Sequence, residues 1–260
     1  MDLGLAGRVA LVFGASGGLG EAVARALSSE GAAVALAGRN AEALARIRKE
    51  LNPAVPSMVV PWDLAEIGRV DELVSSVERE LGPVSILFNN TGGPPPGGAQ
   101  GVAPDVWTRY FQAMVTSVIA VTDRVLPGMK QRGWGRIITS ASSGVVIPLA
   151  NLALSNSLRA ALVGWSKTLA REVARDGVTV NVLVPGRIDT RRVRELDLAR
   201  GKRENRPVAD VQAESAASIP TGRYGDPAEF AAAAAFLASA QASYITGSQL
   251  RVDGGLIGSH

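Results

Sequence analysis

A doubly wound α/β sheet is the fold this sequence predicts, and three observations predict it. Short apolar runs alternate with stretches of helical period along the whole 260-residue chain. The strand-like runs, such as residues 9–13 (VALVF) and 84–88 (VSILF), are continuously apolar, as expected of parallel strands buried on both faces. A glycine-rich turn lies between the first such run and the first helical one.

The strands are expected at 9–13, 33–37, 57–61, 84–88, 136–140, 178–184 and 249–252. A helix-forming run, EAVARALSSEG, follows the turn, and helices are expected at 41–51, 66–81, 104–131, 152–175 and 226–238. Residues 91–98 (TGGPPPGG) directly follow a strand and are too short for an interdomain linker, so they read as a loop at the edge of a site. With no internal repeat and a last strand that fits the same sheet, residues 1–260 read as one domain.

Composition narrows the chemistry. The chain has no cysteine, which excludes disulfides, thiolate metal sites and cysteine nucleophiles. Its single histidine is His260, the last residue, so a Ser-His-Asp triad or a histidine metal cluster is not expected, and no metal site is assigned. No apolar run approaches the ~18 residues of a membrane span, and the start, MDLGLAGR, lacks a basic leader segment. A cytoplasmic protein is the expectation. The net charge of +3 gives no reason to expect nucleic acid. That charge is local: residues 187–206 hold eight basic and four acidic groups, which leaves −1 for the rest.

The turn reads Gly14-Ala15-Ser16-Gly17-Gly18-Leu19-Gly20 and sits between a strand and a helix N-terminus. Glycines there let the backbone approach a pyrophosphate, and the free N–H groups of the helix favour the anion. After the second strand, where a carboxylate would hold a ribose 2′-hydroxyl, the chain has Gly38-Arg39-Asn40. No carboxylate stands there to repel a 2′-phosphate, and Arg39 is suited to bind one. NADP(H) is therefore the preferred cofactor, with NAD(H) left open.

With these motifs the chain resembles the short-chain dehydrogenase/reductase family, in its 3-oxoacyl-carrier-protein-reductase-like branch, over about residues 5–256. Asp63 and Leu64 occupy the family's adenine-binding place. Asn90, Thr91 and Gly92 are similar to its NNAG stretch beside the cofactor, and Pro185, Gly186, Ile188 and Thr190 to the segment around the nicotinamide amide. The resemblance implies a Rossmann-type doubly wound sheet of strand order 3-2-1-4-5-6-7. It also implies a homotetramer built on the 152–175 helix and the C-terminal strand.

The resemblance implies a catalytic Tyr, a Lys four residues later, a Ser thirteen residues before the Tyr and an Asn on an earlier helix. Aligning ALVGWSKTLA (161–170) puts Ser155 at the Tyr place and Arg159 at the Lys place, retains the Ser as Ser142, and puts Met114 at the Asn place. A serine hydroxyl is a far weaker acid than a phenol of pKa about 10, and an arginine is a poor proton shuttle. Of the three tyrosines, Tyr110, Tyr224 and Tyr244, only Tyr110 shares a helix face with Met114, where packing is its ordinary role.

Ser142, Ser155 and Arg159 are thus the candidate catalytic residues of an NAD(P)-dependent oxidoreductase acting on a carbonyl or alcohol, 3-oxoacyl compounds included. A conjugate reduction would depend less on an external acid. The alternative is a catalytically impaired nucleotide-binding sensor or structural partner. Residues 190–218 form the expected substrate lid, a solvated segment whose arginines could attract an anionic small molecule.

Overall fold

The computed structural model describes residues 2–258, so His260 lies outside the described residues. Seven parallel strands form one sheet in the order β3-β2-β1-β4-β5-β6-β7, as the resemblance implies. They are β1 (Val9–Phe13), β2 (Ala33–Gly38), β3 (Ser57–Pro61), β4 (Ile86–Asn89), β5 (Gly135–Ser140), β6 (Val178–Pro185) and β7 (Gln249–Val252). β1, β4, β5 and β6 are buried along their whole length, which explains the continuous apolar run of β1.

Strand alternation sorts the core into two layers. Ala10, Val12, Val34, Leu36 and Phe88 pack under α1 (Gly18–Ser29), α2 (Ala41–Lys49) and α9 (Pro227–Ala238). Leu11, Phe13, Ala35 and Leu87 face the other way, under α3 (Val70–Leu81), α5 (Ser117–Gln131) and α6 (Ala153–Val173). Each fully buried leucine or valine here contributes about 1.5–3 kcal/mol. The strand order reverses between β1 and β4, which opens a crevice beyond their carboxyl ends.

Three expectations need correction. The fourth strand starts at Ile86 rather than at residue 84, and Ser85 marks its ragged start, still donating its N–H to the Val9 carbonyl (2.9 Å) and accepting from Arg136 N (3.0 Å). The single helix expected at 104–131 is α4 (Pro104–Phe111), a π-helical turn at Gln112–Thr116, and then α5. The extra residue of that turn lets the successive side chains of Met114 and Val115 both face the interior.

The stretch 190–218, for which no helix is expected, holds two, α7 (Arg191–Glu204) and α8 (Val208–Ala217), with most side chains in solvent and a few anchors within. The completely buried Asp197 accepts hydrogen bonds from Arg187 Nη1 (2.5 Å) and Tyr224 Oη (2.9 Å), and Val211 is sealed from solvent. Among the described residues, no helix is long and apolar enough to cross a membrane.

Candidate active site

The crevice begins at the turn after β1. Gly14 has φ +62°, a conformation that favours glycine, and a Cβ there would lie 2.5 Å from Asn90 Nδ2 and 2.9 Å from the Asn90 carbonyl. At Gly20 a Cβ would run into the Gly14 carbonyl oxygen and come within 2.8 Å of Phe13 O. The first turn of α1 is therefore pressed directly onto the backbone of the loop, which aims its free N–H groups into the crevice. A Cβ on Gly17 or Gly92 would meet nothing, so the turn faces open space on the side where a pyrophosphate would enter.

The other expected cofactor residues converge on this place. Asn90 Nδ2 donates to the Phe13 carbonyl (3.4 Å), tying the end of β4 to the end of β1, and Thr91 is buried beside it. A Cβ on Gly38, the last residue of β2, would lie 3.4 Å from Ser16 Oγ, and the exposed Arg39 follows at the same edge. Asn40 then caps α2 by accepting from Ala43 N (2.9 Å), so Arg39 is left outside the helix with no ion-pair partner among the described residues. Asp63 accepts from Ala65 N (3.0 Å), and Leu64 packs on the core next to Trp62.

From the far side, Gly186 N donates to the Val252 carbonyl (2.9 Å), and Ile188 is buried. Thr190 caps α7 (Val193 N to Oγ1, 3.4 Å) and stands over Gly18, where a Cβ would lie 3.5 Å from its methyl group. The loop after β6 thus reaches the turn after β1, and the two bracket the crevice.

The catalytic candidates lie at the end of β5 and on the first turns of α6. Ser142 is extended and accepts from Gly144 N (3.2 Å). The adjoining Gly144 is held under the Asn156 side chain of α6, so the serine segment and the helix form one unit. Ser155 is buried, and its Oγ accepts a 2.6 Å hydrogen bond from Arg159 Nη1 one helical turn on.

Arg159 Nε is sealed from solvent with no acceptor. Burial, and then the like charge of Arg192, pull the Arg159 pKa down to about 10. Met114 does not join this group. It lies in an apolar cluster with Val118, Leu158 and Leu162, and Tyr110 packs against the same cluster rather than entering the site.

Two walls flank the pair. The 91–98 loop is stitched to the start of α6 by Gly97 N to the Asn151 carbonyl (2.7 Å) and Ala153 N to the Gly97 carbonyl (3.2 Å). Opposite it, α7 sends Arg192 across to the Pro94 carbonyl (Nη2, 2.8 Å). Sequence reasoning counted Arg192 among the lid arginines without separating it from them. It missed the Arg187–Asp197–Tyr224 anchor altogether, since those partners are ten and twenty-seven residues apart and share no local motif.

Comparison with known proteins identifies the family. A family model described as Enoyl-(Acyl carrier protein) reductase matches residues 14–257. The 3-oxoacyl-[acyl-carrier-protein] reductase FabG of Salmonella typhimurium is 35% identical over 252 residues, covering 96% of this chain and 97% of that one. Among solved structures, YwfH, an NADPH-dependent reductase involved in bacilysin biosynthesis, superposes with a TM-score of 0.93 at 30% identity, over 97% of this chain and 99% of the other. The L-sorbose reductase of Gluconobacter frateurii, solved with NADPH and L-sorbose, gives 0.92 at 33% identity over 100% of both chains. The chain belongs to the short-chain dehydrogenase/reductase family of NAD(P)-dependent oxidoreductases, in its 3-oxoacyl-carrier-protein-reductase-like branch.

Proposed function

We propose that this protein is an NADPH-dependent reductase of carbonyl or conjugated carbonyl compounds that works without a tyrosine acid. The observation that carries the reading is the Ser155–Arg159 pair. A buried hydroxyl and a guanidinium with an unspent N–H lie on the first turns of α6, which Asn156 locks to the Ser142–Gly144 segment, in a crevice otherwise suited to a dinucleotide.

The turn from Gly14 to Gly20 holds the pyrophosphate. Arg39 selects the 2′-phosphate, Asp63 and Leu64 bound the adenine, and residues 185–190 with Asn90, Thr91 and Gly92 enclose the nicotinamide end. NADPH-bound or NADPH-dependent relatives support the same cofactor choice. NADPH, when bound, supplies the hydride.

Ser142 orients the substrate carbonyl by donating to its oxygen. Arg159 stabilises the negative charge that develops on that oxygen, which is electrostatic catalysis rather than proton transfer. A serine hydroxyl is too weak an acid, and Arg159 is needed as the cation that holds the developing charge, so the proton comes from a water held at Ser155. An enone suits such a site best, because its charge spreads into an enolate that a cation can hold until water protonates it. α7 and α8 act as the lid over this chemistry. The exposed edge strand β7, with Leu250 open to solvent, supports association into the tetramer the family resemblance implies.

The test is NADPH consumption by the purified protein with enones, diketones, quinones and 3-oxoacyl thioesters, with NADPH binding followed by fluorescence in the same samples. Turnover of at least one class is expected. The triple variant Ser155→Tyr, Arg159→Lys, Met114→Asn is expected to lose that turnover while keeping NADPH. Tight NADPH binding without oxidation of any class would replace the reductase reading with that of a nucleotide sensor.

A further inference from the structure

The arginines of α7 differ in what they face. Arg191 pairs with Glu195 (3.4 Å), Arg194 with Asp189 (2.7 Å), and Arg200 and Arg206 with Glu214 (2.5 and 2.6 Å). Most of these arginines are thus tied to carboxylates of α7, of α8 or of the segment before them, although residues 187–206 keep an excess of positive charge. Arg192 turns the other way. Its guanidinium lies flat on Gly93, where a Cβ would meet Nη2, Nε and Cζ at 3.1, 3.2 and 3.3 Å. One N–H goes to the Pro94 carbonyl. Among the described residues, neither Arg192 nor Arg159 has a carboxylate within ion-pair distance, although each feels the other's charge.

A buried arginine elsewhere shows what a purely structural role looks like. Arg136 on β5 also lacks a carboxylate, but it donates to the carbonyls of Ser239, Gly135 and Gly177 and stacks 4.4 Å from the Trp134 ring. Arg159 has a single hydroxyl and an orphaned Nε. Two like charges, neither with a carboxylate and one with an orphaned buried N–H, destabilise the empty site and are relieved by an anion. A guanidinium with N–H groups to spare on one edge matches the two coplanar oxygens of a carboxylate.

We infer that Arg192, backed by the charge of Arg159, binds a carboxylate of the substrate, so that the substrate class is a small oxo or enone acid rather than a neutral ketone; this rests on the reductase reading above. Arg192 is then the specificity-determining residue of the lid. It reports occupancy to α7, because the same guanidinium ties that helix to the 91–98 loop.

The test uses the NADPH-loaded protein and two probes that differ by one charge, 3-benzoylacrylate and its methyl ester. The chain has no cysteine to trap either enone covalently. Quenching of bound NADPH fluorescence measures their affinities. The acid is expected to bind at least about tenfold more tightly than the ester, a preference that shrinks with added salt. Arg192→Gln is expected to bring the acid down to the affinity of the ester, and Arg192→Lys to keep part of the difference.

Equal affinities in the wild type, or no binding of either probe, would overturn the inference, as would an undiminished preference in folded Arg192→Gln. Loss of NADPH binding by Arg192→Gln would also overturn it and assign the arginine to the cofactor's phosphates. If the wild type failed to bind NADPH at all, the reductase reading itself would fall.

Discussion

The two ends of the crevice are built from different materials. At the turn after β1 the constraints are in the backbone: Gly14 and Gly20 leave no room for a Cβ, and Asn90 is locked against the strand end. At the end of β5 the constraints are in side chains: Ser142, Ser155 and Arg159 on a helix that would form with many other residues in their place. A backbone site tolerates no substitution without losing the fold around it. A side-chain site can change its chemistry while the scaffold stays as it was. On the proposed reading, that is how the nucleotide end keeps the resembled pattern while the proposed catalytic end carries Ser155, Arg159 and Met114.

The sharpest way to break this contrast is at the backbone end. Gly20→Ala puts a methyl group into the Gly14 carbonyl, and neither partner is a flexible side chain that can swing away. The expected cost is about 3 kcal/mol or more, a fall in Tm of roughly 6–12 °C. NADPH affinity should fall about a hundredfold or more, because the helix N-terminus can no longer approach the loop. Thermal unfolding and a fluorescence titration check both. A stable variant that binds NADPH normally would show that the turn is looser than its packing implies.

Arg159→Met is the complementary change. Methionine keeps much of the aliphatic stem and removes a charge that has one hydroxyl for a partner and Arg192 for a neighbour. Turnover should drop about a hundredfold, as expected when a group that stabilises developing charge is removed. Stability should stay level or rise by up to about 1 kcal/mol, as when other strained functional sites are relieved. Loss of activity together with a Tm drop as large as that of Gly20→Ala would make Arg159 a structural residue.

Legibility in the sequence follows the same division. VALVF and VSILF announce buried parallel strands because both faces are covered, and GASGGLG announces its turn because the backbone there demands glycine. Ser142, Ser155 and Arg159 could be placed only by alignment with the resembled family, and what they touch was not visible. The π turn at Gln112–Thr116 was hidden because an inserted residue changes phase without changing composition. Arg192 was hidden among six other lid cations, all alike in sequence. Only the fold shows which of them find a carboxylate on the next turn and which lean over Gly93.

The smallest expected effect comes from a change that touches neither end. Glu229 closes the capping box of α9, donating nothing and accepting from Asp226 N (2.7 Å) and from both terminal nitrogens of Arg223 (2.8 and 2.7 Å). Those contacts, the Arg223 hydrogen bonds first, hold its carboxylate down at about 2. A carboxylate whose pKa is lowered on folding stabilises the fold fully above its unfolded value near 4.5, and that contribution fades as the pH falls through the folded value. Glu229→Gln should therefore lower Tm slightly at about pH 6, and its gap to the wild type should narrow at about pH 3. Its NADPH affinity and turnover should match the wild type, since α9 supports α1 from behind and Glu229 stands half-exposed at the helix start, bonded to Arg223 and Asp226. A shift in either at neutral pH would mean that the packing of α9 on α1 sets the position of the phosphate turn. The boundary drawn here between scaffold and site would then have to move outward to include that helix.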